Sequence, residues 1–194
     1  KKLEQLKAAN EFECWYLVKH STEFYKQCYL ASILKEYIDN QPTDNFETFL
    51  GRKVSEINSA NPNIKLSNNY RALRVAAFFG LITMHGQGYK NATITPTFNE
   101  IQNRCDGKFE NIGTYSDIID RQIEKMFLSS SIDEQKDGAR KDFRLYPVML
   151  LYKVLIELGR TTGEYRISLN EYKYLVATTK RFEEFLDTLL PVSY

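Results

Sequence analysis

The amino-acid sequence predicts a mainly α fold with small β-hairpin wings. Three observations lead there. Apolar residues recur at helical spacing through most of the 194 residues. Only 9 Gly and 5 Pro interrupt them. The spacing turns from helical to extended in one short stretch, residues 81–95, which holds a glycine-punctuated turn.

Residues 1–10 read as a polar, helix-favouring lead-in, and residues 12–39 as a long helix. Within it Phe24, Cys28, Ala31, Leu34 and Ile38 follow at i, i+4, i+7, i+10 and i+14, one apolar stripe. Asn40-Gln-Pro-Thr-Asp44 breaks the pattern. A second helix follows over 46–58, with Phe46, Phe49, Leu50, Val54 and Ile57 inward. Residues 58–63 are a turn-rich loop. Ser67 is a good N-cap for a third helix over 68–79, and Gly80 a natural residue just past its end. On that helix Tyr70, Leu73, Ala76 and Ala77 take the core side, with Leu66 flanking. Asn68, Arg71, Val75 and in part Arg74 point away. Leu81 to Met84 is apolar and extended, His85-Gly-Gln-Gly88 is a turn, and residues 89–95 are β-prone up to Pro96. A short helix restarts over 98–104. Helix, helix, helix, hairpin is the order of a winged helix-turn-helix.

In the second half, residues 116–128 are helical and 129–141 a polar loop. Pro147 suits the first position of a helix over 148–158, closed by Gly159. Ser168 with Glu171 forms a capping box opening a helix over 169–177. A last amphipathic helix spans 181–190. The chain thus divides into residues 1–106, N-terminal helices plus a winged helix-turn-helix, and 107–194, a second winged-helix-like unit.

No apolar run approaches the length of a membrane span, which excludes a membrane partner. Cys14, Cys28 and Cys105 are scattered and odd in number, and the two histidines, His20 and His85, are isolated. That pattern speaks for reduced, intracellular thiols in a cytoplasmic protein and against a metal site, and no resident cofactor is expected in the chain. No phosphate loop, nucleophile elbow or dinucleotide fingerprint occurs. Three (Asp/Glu)-x-Lys triplets resemble nuclease metal motifs: Asp106-Gly-Lys108, Glu134-Gln-Lys136 and Glu171-Tyr-Lys173. None follows a hydrophobic strand with a Pro-Asp element, and composition alone accounts for them. No residue is assigned a catalytic role.

The net charge is only +1, an average that hides its placement. Between Glu56 and Glu100 there is no acidic residue, while Lys65, Arg71, Arg74 and Lys90 fall there. The stretch also holds Asn58, Asn61, Asn63, Asn68, Asn69, Asn91 and Asn99, side chains that bond phosphates and base edges. The expected partner is double-stranded DNA. Lys65, Asn68, Asn69, Arg71 and Arg74 serve the recognition helix, and His85, Gln87, Tyr89 and Lys90 the wing tip. Tyr70 is expected in the core.

Two stretches carry a resemblance. One is Leu66-Ser-Asn-Asn-Tyr-Arg-Ala-Leu-Arg-Val-Ala-Ala-Phe-Phe-Gly-Leu-Ile82 followed by Ala92-Thr-Ile-Thr-Pro-Thr-Phe98. The other is Phe143-Arg-Leu-Tyr-Pro-Val-Met-Leu-Leu-Tyr-Lys-Val-Leu-Ile-Glu-Leu-Gly159 followed by Ile167-Ser-Leu-Asn-Glu-Tyr-Lys-Tyr-Leu-Val176. Together they resemble the DNA-recognition part of type II restriction endonucleases, notably the type IIS group, over about residues 24–190. The resemblance implies tandem winged helices and sequence-specific duplex binding through Asn68, Asn69, Arg71 and Arg74. It implies a prokaryotic protein and a Mg2+-dependent nuclease in a separate domain or subunit. It makes Arg166, Asn170 and Lys173 candidates on a second recognition helix. The alternatives are a winged-helix transcriptional regulator, dimerising through residues 181–190, and a winged-helix protein-interaction module.

Overall fold

A computed structural model of the chain describes residues 14–15, 23–84, 89, 91–129 and 143–185. These belong to two compact units, one within Val18–Ile123 and the other within Lys1–Leu17 together with Glu124–Tyr194. Position 107, where the sequence puts its division, falls inside the first unit. The reason is aromatic. Phe109 and Tyr115, just beyond it, are fully buried there. The Phe109 ring stands 5.0 Å from Tyr29 and 6.0 Å from Phe98, and the Tyr115 ring 6.0 Å from Phe24. The Tyr115 hydroxyl donates to the Phe109 carbonyl.

The first unit runs α1 (Phe24–Asn40), α2 (Phe46–Ala60), a 3-10 turn (Tyr70–Ala72) leading into α3 (Leu73–Phe78), β1 (Ile82–Thr83), β2 (Thr93–Ile94), α4 (Pro96–Cys105) and α5 (Ser116–Glu124). The α1 stripe buries Phe24, Cys28, Ala31 and Leu34, while Ile38 near its end is exposed. Asn45 caps α2, its Oδ1 accepting from the Thr48 N–H at 2.9 Å. Strands β1 and β2 pair antiparallel, Ile82 with Ile94 and Thr83 with Thr93. Each strand is only two residues long. Thr95 then ties hairpin to helix. Its hydroxyl donates to the Gly80 carbonyl at 2.7 Å and accepts from the Phe98 N–H, capping α4 with Pro96 in the first turn.

Gly80 ends α3 as expected. Its φ is +69°, the Gly80 N–H donates to the Ala77 carbonyl and the Leu81 N–H to Ala76, the two bonds of a Schellman stop. The start of the helix differs from expectation. Asn69, not Ser67, is the cap, accepting from the Arg71 N–H at 3.0 Å. The first turn is 3-10. Val75, expected to point away, is fully buried: Ala72, Leu73, Ala76 and Phe79 are buried as well, so this short helix is covered over more than the single stripe its spacing predicts.

The second unit contains β3 (Leu128–Ser129), β4 (Arg144–Leu145), α6 (Pro147–Thr162), α7 (Leu169–Glu171), a π turn (Tyr172–Val176) and a 3-10 turn (Phe182–Glu184). Strands β3 and β4 pair antiparallel, Leu128 opposite Leu145. Helix α6 passes through Gly159 and ends at Gly163, which takes a φ of +80°. Gly159 instead makes room for a neighbour, since a Cβ there would meet the Tyr165 ring at 2.3 Å. The Ser168–Glu171 capping box forms as read. The N-terminal helix does not extend to Cys14 and Trp15, which are non-helical. The Trp15 backbone N–H donates to Ala177 at 2.7 Å and its indole N–H to the Thr179 carbonyl at 2.9 Å. The last predicted helix is seen only as the 3-10 turn and Phe185; residues 186–190 lie outside the described residues. The described residues are thus mainly helical with two small antiparallel strand pairs. Among the described residues no helix is long and apolar enough to cross a membrane.

Candidate functional site

The segment entering α3 is built by one side chain. Asn58, near the end of α2, accepts from the Leu66 N–H at 2.8 Å and donates to the Leu66 carbonyl at 3.0 Å. Ile64 and Leu66 are buried on either side of Lys65. Lys65 takes a φ of +51°, a left-handed conformation uncommon for a residue with a Cβ. Its side chain is exposed. The Ser67 hydroxyl accepts from the Asn69 N–H at 3.2 Å. These bonds hold a short, exposed run carrying Lys65, Asn68, Asn69 and Arg71. Arg74, one turn on, is half-buried.

The electrostatics of this run differ from the rest of the unit. Lys26 pairs with Glu23, Lys35 with Asp39, Lys53 with Glu36, and Arg52 with Asp44 and Glu56. Arg104 pairs with Glu100 and Asp117, and Arg121 with Asp117. Lys65 and Arg71 have no carboxylate partner among the described residues; Lys108, on a separate loop, shares that condition. The neighbourhood is not wholly free of acid. Glu110 reaches the loop before Lys65, accepting from Asn61 Nδ2 at 3.1 Å and from the Tyr29 hydroxyl at 2.8 Å.

The remaining candidates are placed unevenly. His85, Gln87 and Lys90 lie outside the described residues. Tyr89 is half-buried, its ring 4.6 Å from Phe46 and 6.1 Å from Tyr70. It packs the hairpin onto α2 instead of presenting a ring face at a wing tip. Burial holds its phenol above the ordinary range. Tyr70 is half-buried too. In the second unit Arg166 is exposed but already engaged, donating to both Glu164 carboxylate oxygens at 2.9 and 3.0 Å. That guanidinium holds Glu164 below the usual carboxylate range. Asn170 is exposed on α7, between the two capping-box residues, and Lys173 is exposed on the π turn that follows.

The metal-motif triplets do not assemble. Glu171 spends its carboxylate on the Ser168 N–H at 2.7 Å. Asp106 is the left-handed C-cap of α4 and exposed, and Glu134 lies outside the described residues. Among the described residues no three His, Cys, Asp or Glu side chains group closely enough to hold a metal ion.

Sequence reading places Asn58 differently and gives Glu110 no role. Asn58 counts there among the side chains facing nucleic acid, yet both its polar atoms are committed to Leu66. Nothing in local sequence marks Glu110 as a neighbour of Asn61. Comparisons with protein-family models, with curated proteins and with solved structures yield no match.

Proposed function

We propose that the chain binds double-stranded DNA sequence-specifically, as the recognition domain or fragment of a type II restriction endonuclease whose Mg2+-dependent nuclease centre lies elsewhere. The observation that carries the reading is the contrast in ion pairing. Most basic side chains of the first unit are neutralised by carboxylates, whereas Lys65 and Arg71 stand exposed without one among the described residues. Cations left unneutralised suit a polyanion, because their attraction is not already spent within the chain.

In this reading the first unit is a winged helix, with α3 as its recognition helix and β1–β2 as the base of its wing. Asn68 precedes the helix and suits a base edge, since an amide offers a donor and an acceptor side by side, the pair that adenine presents. Asn69 Oδ1 is taken by the Arg71 N–H, which leaves its amide N–H groups to donate. Arg71 suits guanine by the same two-point geometry. Lys65 suits a phosphate, which asks only for a cation. The second unit adds Asn170 and Lys173. Arg166 contributes less, because Glu164 already holds its fork.

The test is fluorescence anisotropy of the intact chain with labelled duplexes at several salt concentrations. Binding that weakens steeply and log-linearly with salt supports the reading. Absence of binding at low salt overturns it.

A further inference from the structure

Strand β4 meets a second extended segment besides β3. The Arg144 N–H donates to the Lys180 carbonyl at 2.8 Å, and Arg144 lies opposite Arg181 in a parallel bridge. Burial alternates along β4 and its flanks: Phe143 and Leu145 are buried, while Arg144 and Tyr146 are exposed. Bridged residues of neighbouring strands share a face, so Arg181, exposed as well, stands on the same side as Arg144. The residues before them take the other side, where the Lys180 ammonium lies 6.0 Å from the Phe143 ring centre. Two guanidinium side chains thus leave one face from backbones about 4.8 Å apart. The base beneath them is held. Thr179 is buried, and its carbonyl accepts from the Trp15 indole N–H at 2.9 Å.

Other cations of the second unit are neutralised at home. Arg160 and Lys153 share Glu157, and Arg166 takes Glu164, whereas Arg144 and Arg181 pair with no carboxylate among the described residues. The nearest acids along the chain do not serve them. Glu184 turns one carboxylate oxygen back to the Lys180 N–H at 3.0 Å, and Glu183 is exposed and makes no ion pair with either arginine. Like charges at this spacing repel each other, and an oxyanion held between them turns the repulsion into two attractions. We propose that Arg144 and Arg181 form a phosphate-binding pair, both guanidinium forks donating to oxygens of one anion. A phosphate group presents charged oxygens on more than one side, which suits two forks rising from neighbouring strands. The two oxygens of a carboxylate are filled by one fork. A phosphodiester of a nucleic-acid backbone and a free phosphate offer the same chemistry.

The site rests on the DNA-binding reading only if its phosphate belongs to a duplex, and two arms of one experiment separate the sources. In the first, the intact chain labelled with 15N is titrated with inorganic phosphate against sodium chloride at matched ionic strength. The Arg144 and Arg181 Nε–H resonances should move together along one saturating curve, while that of Arg166, already held by Glu164, stays in place. Arg181→Ala should abolish the Arg144 response with unchanged circular dichroism, since the side chain is exposed. In the second arm, Arg144→Ala and Arg181→Ala are compared with wild type in duplex binding across salt concentrations. A salt slope lower by about one unit in each variant supports the pair and assigns its phosphate to the DNA backbone. Saturable phosphate shifts with unaltered duplex binding support the pair and assign it to free phosphate. A wild-type chain that binds no duplex defeats the reading above, and the phosphate titration still decides this one. A flat phosphate titration, with no loss of duplex binding in either variant, overturns the proposal.

Discussion

Asn58 and Leu66 are joined by a reciprocal pair of hydrogen bonds, side-chain amide to backbone amide, across the loop that enters α3. The clasp fixes the stretch between the buried Ile64 and the cap Asn69, and with it the direction of Lys65, Asn68 and Asn69. In the proposed complex, a polar side chain that never meets DNA thereby sets where the polar side chains that do meet it can stand.

Asn58→Leu should therefore cost both stability and affinity. Leaving the Leu66 amide groups without partners costs about 1–3 kcal/mol. Thermal unfolding followed by circular dichroism reads the first effect. Anisotropy with duplex DNA, at a temperature where the variant is folded, reads the second. Full affinity in a destabilised but folded variant would show that the clasp does not position the contact segment.

Arg71→Ala and Lys65→Ala should fail in different ways. An arginine reading a base is worth about 1–3 kcal/mol, and its loss relaxes selectivity at one position. A lysine on a phosphate is lost uniformly across sequences, and the salt slope falls by about one unit. Competition binding with a panel of duplexes separates the two signatures. Arg166→Ala should weaken binding less than Arg71→Ala, because the Glu164 carboxylate competes with phosphate for that guanidinium.

Gly80→Ala should destabilise the first unit by about 1–3 kcal/mol, since the residue must keep a left-handed φ of +69°. Its new Cβ would also meet Gln122 Oε1 at 2.7 Å. Combining it with Gln122→Ala should relieve only the steric part, because the backbone conformation is unchanged. A double variant as stable as wild type in a thermal melt would put the whole cost on Gln122.

Ser168→Ala should lower the stability of the second unit by about 0.5–2 kcal/mol, the usual cost of losing an N-cap. Glu171→Gln should cost less, because an amide oxygen still accepts from the Ser168 N–H. Hydrogen exchange at the α7 and π-turn amides reads both changes locally.

Features that local chemistry decides are legible in the sequence. The α1 stripe, the Gly80 stop and the Ser168–Glu171 box each depend on residues within a few turns of chain, and each forms. The cap of α3 and the burial of Val75 are not legible. Asn69 takes the cap in place of Ser67, and the helix is covered over more than one stripe, so Val75 is buried together with Leu73 and Ala76. The β3–β4 pairing escapes because two-residue strands leave no alternating pattern. Trp15 reads as helical although its backbone and indole N–H groups go to Ala177 and Thr179, contacts that no window along the chain can foresee. In the candidate site, charge placement points to Lys65 and Arg71, while the role of Asn58 depends on a backbone partner eight residues away.

Selection of bound duplexes from a random pool by the intact chain tests the central claim most directly. Enrichment of a definite consensus is the expected result, with that consensus blurred at one position for Arg71→Ala. Recovery of a random pool by the wild-type chain, with no sequence enriched, would contradict sequence-specific binding.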